Sequence, residues 1–392
     1  MIRVVFVLQE PTPYRTPHLA VLRSRPELDV TVVYAAPTVQ RRSWTVDDDA
    51  IYLEGPRLPL ARVLHHDYPV TPSVWPLLGR LRPDAVVVGG WSTSATQLAV
   101  IWCRTHGIPY LLMSDNHLLE RRPAWVRALK RVVLPRVVPQ AAGWLVPGSR
   151  ARDHIVHYGA DPARVVDFPL TVDVPAMLER AAVLEERRTA IRSRLGIAHD
   201  AVAVLGVGRL IEFKAPEILV RAVARAGARS ARRLHLLIAG DGPLDEAVRA
   251  EAEELGVAAT FAGFVEGDDL LELYAAADVF ALLSRRELWG VVVNEAMCFG
   301  LPLVLSSAVG AAADLLVEER NGLLVPPDDV EAAAAALAKL AASEPRRAAM
   351  GAASRELIAP WGYARGGDEL VALLQEVTAE RPRRRTSRSG GR

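Results

Sequence analysis

Two cations and two carboxylates in the second half of the chain stand at spacings that suit a bound diphosphate. Arg209 and Lys214 lie in VLGVGRLIEFKAPE (204–217), between an apolar run that reads as a buried strand and a segment that reads as a helix. Backbone N–H groups and a helix N-terminus converge in such a turn and collect anionic oxygens. The turn is not a dinucleotide fingerprint, because Ile211 stands where G-x-G-x-x-G needs its third glycine. The chain holds three lysines among 47 basic residues, so a lysine kept here marks a compact point charge, with a solvated surface lysine as the competing reading. Glu287 and Glu295 lie in SRRELWGVVVNEAMCFGLPLVLSS (284–307) with seven residues between them. If most of that span is helical, the carboxylates stand up to ~12 Å apart at 1.5 Å per residue. That is about the reach from a sugar ring, across a diphosphate, to a ribose. The helix start near Leu288, Gly290 and Val291 would hold the phosphates, and Gly290 lets a ligand approach the backbone.

Alternating strand and helix patterns must position these groups. IRVVFVL, DVTVVYA, DAVVVGG, PYLLMS and GWLVPG are strands of the first half; AVAVLGVG, LHLLIAG, AATFAGF, VFALLS, PLVLSS and GLLVP are strands of the second. Such alternation predicts two Rossmann-like, doubly wound parallel-sheet α/β domains facing each other across a cleft. The expected division is 1–180 for the first domain, 181–200 for a connector and 201–361 for the second domain. A charged helical stretch, 176–199, supplies the connection. A helix within 362–380 packs back on the first domain, and 381–392 is a disordered basic tail. With 392 residues, 51% hydrophobic and 24% charged, the chain is long enough for two cores, and its formal charge of +1 gives no reason to expect nucleic acid. Cys103 and Cys298 show no metal-ligand spacing and suggest a reducing compartment. The first residues form no signal peptide, and no run reaches the ~20 apolar residues of a membrane helix. The expected location is therefore cytoplasmic, with peripheral contact on the inner membrane face as an option.

VGRL with Lys214, then IAGDGP, FAGFV and E-x7-E followed by AMCFGLPLV, in this order, resembles the retaining glycosyltransferases of family 4, whose two-domain architecture is called GT-B. PTPYRTPHLAVL, VVVGGW and LLMSDN look like one bacterial branch of that family. The resemblance implies a metal-independent enzyme without a cofactor. It would move a sugar from a nucleotide diphosphate-sugar, of UDP or GDP type, to an acceptor hydroxyl in polysaccharide, glycolipid or glycosylated-metabolite biosynthesis. It implies that Arg209 and Lys214 pair with the diphosphate, that Glu287 holds sugar hydroxyls and Glu295 ribose hydroxyls. The base is read by main chain around Phe264 and Val265, with Gly240 beside them. The chain departs from the family in having Ala215 and Pro216 where glycine commonly follows the lysine, and in having PTPYR in place of a glycine-rich loop. The same architecture also serves nucleotide-sugar epimerases, and a non-catalytic nucleotide-sugar-binding subunit is a third reading.

On the acceptor side, the candidates are Tyr14, Arg15, Gly90 and Trp91. His117 and Asp115 are further catalytic candidates, each competing with a role in an Asp-Asn turn. The triplets at 47–49 and 65–67 read as solvated loops and not as metal ligands. In 121–139, Trp125, Leu129, Val132 and Val133 share one helical face beside Arg127, Lys130 and Arg131. The favoured reading is an apolar face packed on the domain, and the alternative is contact with anionic lipid. The oligomeric state is not legible.

Overall fold

The computed structural model describes residues 1–37, 49–56, 68–118 and 124–380, with the side chains of 124–127 and 129 excepted. Their strands form two parallel sheets. The first joins β1 (Ile2–Leu8), β2 (Leu28–Tyr34), β3 (Ile51–Tyr52), β4 (Ala85–Gly89), β5 (Tyr110–Met113), β6 (Gly143–Val146) and β7 (Val165–Asp167) in the order β3-β2-β1-β4-β5-β6-β7. The second joins β8 (Val202–Val207), β9 (Leu234–Ala239), β10 (Ala259–Gly263), β11 (Val279–Leu282), β12 (Leu303–Ser306) and β13 (Gly322–Val325) in the order β10-β9-β8-β11-β12-β13. Helices cover both faces of each sheet, so its central strands are apolar throughout instead of alternating. Along β1, Val5 and Val7 enter one core cluster while Val4, Phe6 and Leu8 enter the other. β8 divides in the same way, with Ala203, Leu205 and Val207 opposite Val202 and Val204.

The carboxyl-terminal helix Gly367–Ala379 sends Leu370, Leu373, Leu374 and Val377 into the core that holds Val4 and Phe6, and so packs on the first sheet. Residues 176–199 do not form one connector. They hold most of the helix Val174–Glu186 and all of Arg188–Arg194, which bury Ala181, Leu184 and Ile191 in the second domain's core. The break at Arg187 lets Arg188 and Arg192 reach Asp278 at 2.7 and 2.9 Å, while Asp278 also accepts the Ala203 N–H at 2.7 Å. The stretch counted up to residue 180 with the first domain therefore packs, from Leu170 onward, with the second.

Both sheets reverse strand order once, between β1 and β4 and between β8 and β11. Strand order reversal opens a crevice at the carboxyl ends of the strands, where α/β proteins bind ligands.

Candidate active site

In the second domain, the loops after β8 and β11 flank that crevice. Gly208 leaves β8 at φ +149°, and Gly240, after β9, lies so close that a Cβ on it would meet the Gly208 carbonyl oxygen at 2.0 Å. The Leu210 N–H donates to the Asp241 carbonyl at 2.7 Å and fixes the turn below Arg209. A short 3-10 segment, Glu212–Lys214, leads into the helix Pro216–Arg229, with proline at its first position, where no N–H is needed. Ala215 adopts the left-handed conformation at φ +49° and ψ +51°. An L-residue there carries a strain of about 1 kcal/mol that glycine avoids, so the turn keeps its glycine geometry without the glycine.

Arg209 is exposed, while Lys214 turns inward and pairs with the Glu287 carboxylate, the two side chains being 24% and 15% exposed. Arg285 holds the loops in register. It donates from its main-chain N–H to the Phe213 carbonyl at 2.9 Å, and from its side chain to the Glu212 carbonyl at 2.8 Å, Glu217 at 2.5 Å and Asp328 at 2.6 Å. In the sequence, Arg285 is only one basic residue of SRRELWG and carries no signal of this role.

Glu287 is not on a helix. It forms a parallel bridge with Val309, and its carbonyl accepts the Gly310 N–H at 3.0 Å. The helix begins at Val291, after Gly290 at φ +96° and ψ +69°. Of the span between the glutamates, Val291 to Asn294 are helical and 288–290 form a loop before them. The reason lies in Trp289, buried with its Nε1–H donating to Asn294 Oδ1 at 3.1 Å, while Asn294 Nδ2 donates to Thr171 Oγ1 at 3.1 Å. That anchor holds 287–290 in a loop against the Val309 strand edge. The helix Val291–Cys298 starts after Glu287 and carries Glu295 in its second turn, and Leu288 precedes it partly buried.

Glu295 accepts the Tyr274 hydroxyl at 2.6 Å. Burial raises its pKa above the ordinary carboxylate value, against the opposing pull of that hydrogen bond. Burial, with the Glu295 charge beside it, pushes the Tyr274 phenol well above its ordinary value, so the tyrosine remains a donor. Tyr274 escaped the sequence reading, its one trace being a phenol inside the small-residue run LYAAADVF. Phe264, half exposed, and Val265, partly buried, follow β10, where the Gly263 carbonyl accepts the Gly240 N–H at 2.7 Å.

From the first domain, Tyr14 and Arg15 follow β1, Gly90 and Trp91 follow β4, and Asp115 and His117 follow β5. His117 is buried, and its Nε2 donates to the Glu287 carbonyl at 3.2 Å across the cleft. Asp115 is exposed. Gly90 takes φ +70°, and Trp91 leans on the first domain's core. Three residues without a sequence signal also join the domains. Asp314 accepts from the Ser149 N–H and hydroxyl at 3.1 Å, at the start of the helix Ser149–His157. Arg150 donates to the carbonyls of Val309 and Ser307 at 2.8 and 2.9 Å. Burial raises the Asp314 pKa, opposed by the Ser149 donors.

Among the described residues, no group of three or more His, Cys, Asp or Glu could hold a metal ion, and no helix is long and apolar enough to cross a membrane. The triplet at 65–67 and residues 47 and 48 lie outside the described residues, as do residues 381–392. Cys103 and Cys298 are free and buried, each pushed up to about 12 by burial. In the helix Ala124–Val137, Val132 and Val133 are 56% and 41% exposed while Leu134 is buried. The expected packed face is thus wrong for Val132 and Val133, because Leu134 and Val138 take the inward positions; the side chains of Trp125, Arg127 and Leu129 are not described.

Two doubly wound sheets facing one crevice define a GT-B architecture, shared with solved structures. A glycosyltransferase from Rickettsia africae superposes with a TM-score of 0.73 at 12% identity, covering 97% of this chain and 99% of that one. HepE of Anabaena in complex with UDP-glucose superposes with a TM-score of 0.66 at 18% identity, with the same coverage. Residues 187–357 match the family model of Glycosyl transferases group 1. A curated relative, the D-inositol 3-phosphate glycosyltransferase of Geodermatophilus obscurus, is 37% identical over 262 residues, 64% of this chain and 56% of the relative. The chain thus spans little more than half of that relative's length.

Proposed function

We propose that the protein transfers a glycosyl group from a nucleoside diphosphate-sugar to an acceptor hydroxyl with retention of anomeric configuration, as a member of family 4. The observation that carries this reading is the convergence of Lys214, Glu287 and the N-terminus of the helix Val291–Cys298 at the carboxyl edge of β8 and β11, with Glu295 held by Tyr274. The UDP bound in the HepE structures favours a uridine donor over the GDP type. In the reaction, the bond between the anomeric carbon and the β-phosphate oxygen breaks, and the acceptor oxygen bonds to that carbon on the same face. The acceptor proton passes to the departing phosphate, which needs no assigned protein base; His117 and Asp115 border this region from the first domain. Arg209 and Lys214 neutralise the charge growing on the diphosphate, a preorganised electrostatic contribution that requires no metal. Glu287 accepts from sugar hydroxyls and Glu295 from ribose hydroxyls, while main chain at Phe264 and Val265 meets the base.

The test is a screen of UDP-sugars by thermal shift, followed by mass analysis with candidate acceptors and NMR assignment of the product anomer. Turnover of donor alone, without acceptor, points to an epimerase instead; binding without turnover points to a non-catalytic subunit. Turnover that dies on exhaustive chelation and returns with magnesium or manganese overturns the metal-independent reading. We also propose that Val132 and Val133, beside Lys130 and Arg131, meet an anionic membrane surface from the cytoplasmic side. Vesicle binding released by salt supports that contact, and no binding at low ionic strength removes it.

A further inference from the structure

Four partly buried arginines end on acceptor oxygens. Arg150 reaches two carbonyls, Arg188 and Arg192 share Asp278, and Arg285 reaches one carbonyl and two carboxylates. Arg15 does not. Its guanidinium carbon lies 5.3 Å from the centroid of the Phe168 ring, and its Nη1 is sealed from solvent with no hydrogen-bond partner among the described residues. Its main-chain N–H is satisfied by Thr12, so the deficit belongs to the side chain. Burial lowers the Arg15 pKa, and the nearby Tyr14, Asp115 and Tyr34 only oppose that effect. A buried donor left without an acceptor destabilises the free protein even with the Asp115 charge nearby, and stabilising alternatives such as glutamine are one substitution away.

The position of Arg15 says what it is kept for. It opens the helix Arg15–Arg23 directly after β1, at the order reversal of the first sheet, and the neighbouring Tyr14 packs against the core of the second domain. It therefore borders the cleft from the side opposite Arg209 and Lys214. Those two cations and the helix start at Val291 already provide for the donor diphosphate. We propose that Arg15 is the anchor for a phosphate group carried by the acceptor, gripped by the planar guanidinium fork. This rests on the glycosyl-transfer reading above and names the class of acceptor: a phosphorylated hydroxyl compound.

The experiment uses the full chain saturated with UDP and titrated with inorganic phosphate, in the wild type, Arg15→Ala and Arg15→Gln. Calorimetry should show phosphate binding weakened at least tenfold in both variants, with UDP affinity unchanged within twofold. Arg15→Gln should melt at or above the wild type without phosphate and lose the phosphate-induced rise, an outcome that a merely structural arginine would not give. Should Arg15→Ala fail to fold, Arg15→Gln decides alone. Equal phosphate affinity in wild type and variants overturns the proposal. A fall in UDP affinity that tracks the loss of Arg15 overturns it too, because the anion is then the donor's own. If the wild type binds no nucleoside diphosphate but still binds phosphate through Arg15, the anion site stands and the glycosyl-transfer reading fails.

Discussion

Lys214 cannot grip a diphosphate and the Glu287 carboxylate at full strength together, so the ion pair seen between them must weaken when a donor binds. Two unit charges about 4 Å apart attract by ~4 kcal/mol at an effective dielectric of ~20. Desolvation offsets most of that, and a charge-assisted hydrogen bond contributes about 1–2 kcal/mol net. Both side chains are mostly buried, which keeps salt from screening the pair away. Replacing Glu287 with glutamine should therefore release Lys214 and tighten UDP binding by about 5- to 30-fold, at 1.4 kcal/mol per factor of ten. UDP-sugar should gain less, because the same change removes an acceptor for sugar hydroxyls, and turnover should fall. Calorimetry on wild type, Glu287→Gln, Lys214→Ala and the double variant closes the cycle. In the Lys214→Ala background the Glu287 substitution should change UDP affinity by less than about twofold. Weaker UDP binding by Glu287→Gln refutes the exchange of partners. A gain that persists without Lys214 refutes it as well, since general repulsion between Glu287 and the diphosphate then suffices.

Arg209→Ala and Lys214→Ala should each lower turnover by roughly 10²-fold, the scale of one lost preorganised contact; near-normal initial rates in both would remove the diphosphate assignment. Glu295 has its pKa raised by burial, so its contribution to stability is fully present below the ordinary carboxylate range and is lost as pH rises through the raised value. Glu295→Gln should accordingly melt close to the wild type near pH 4 and above it near pH 7.5, while binding UDP more weakly; a gap that shrinks as pH rises contradicts this sign. Asp314→Ala removes a carboxylate that caps the helix Ser149–His157 from the other domain, worth about 1 kcal/mol. Small-angle scattering should show a more extended average shape and kinetics a higher KM, whereas an unchanged profile would make the contact incidental.

The second-domain part of the candidate site is readable from the sequence because its parts are local. Arg209 and Lys214 share one turn after a strand that both faces bury, and Glu287 and Glu295 bracket one helix start, so residue type and spacing carry the information. Even there a buried tryptophan, not helix periodicity, sets the path from Glu287 to Gly290, and residue spacing does not reveal it. Contacts made between distant segments left no such trace. His117 reaches the Glu287 carbonyl over 170 positions, and Ser149 reaches Asp314 over 165. Tyr274 stands 21 residues before Glu295 on another helix, and any polar residue in those places reads as an ordinary turn or surface group. The first-domain candidates depend almost wholly on contacts of this second kind. In a two-domain fold with its cleft between the sheets, each first-domain candidate gains its meaning from what the opposite domain presents. Arg15 shows the limit: the sequence offers it only as a candidate within PTPYR, and that its Nη1 is buried without a hydrogen-bond partner appears only in the fold.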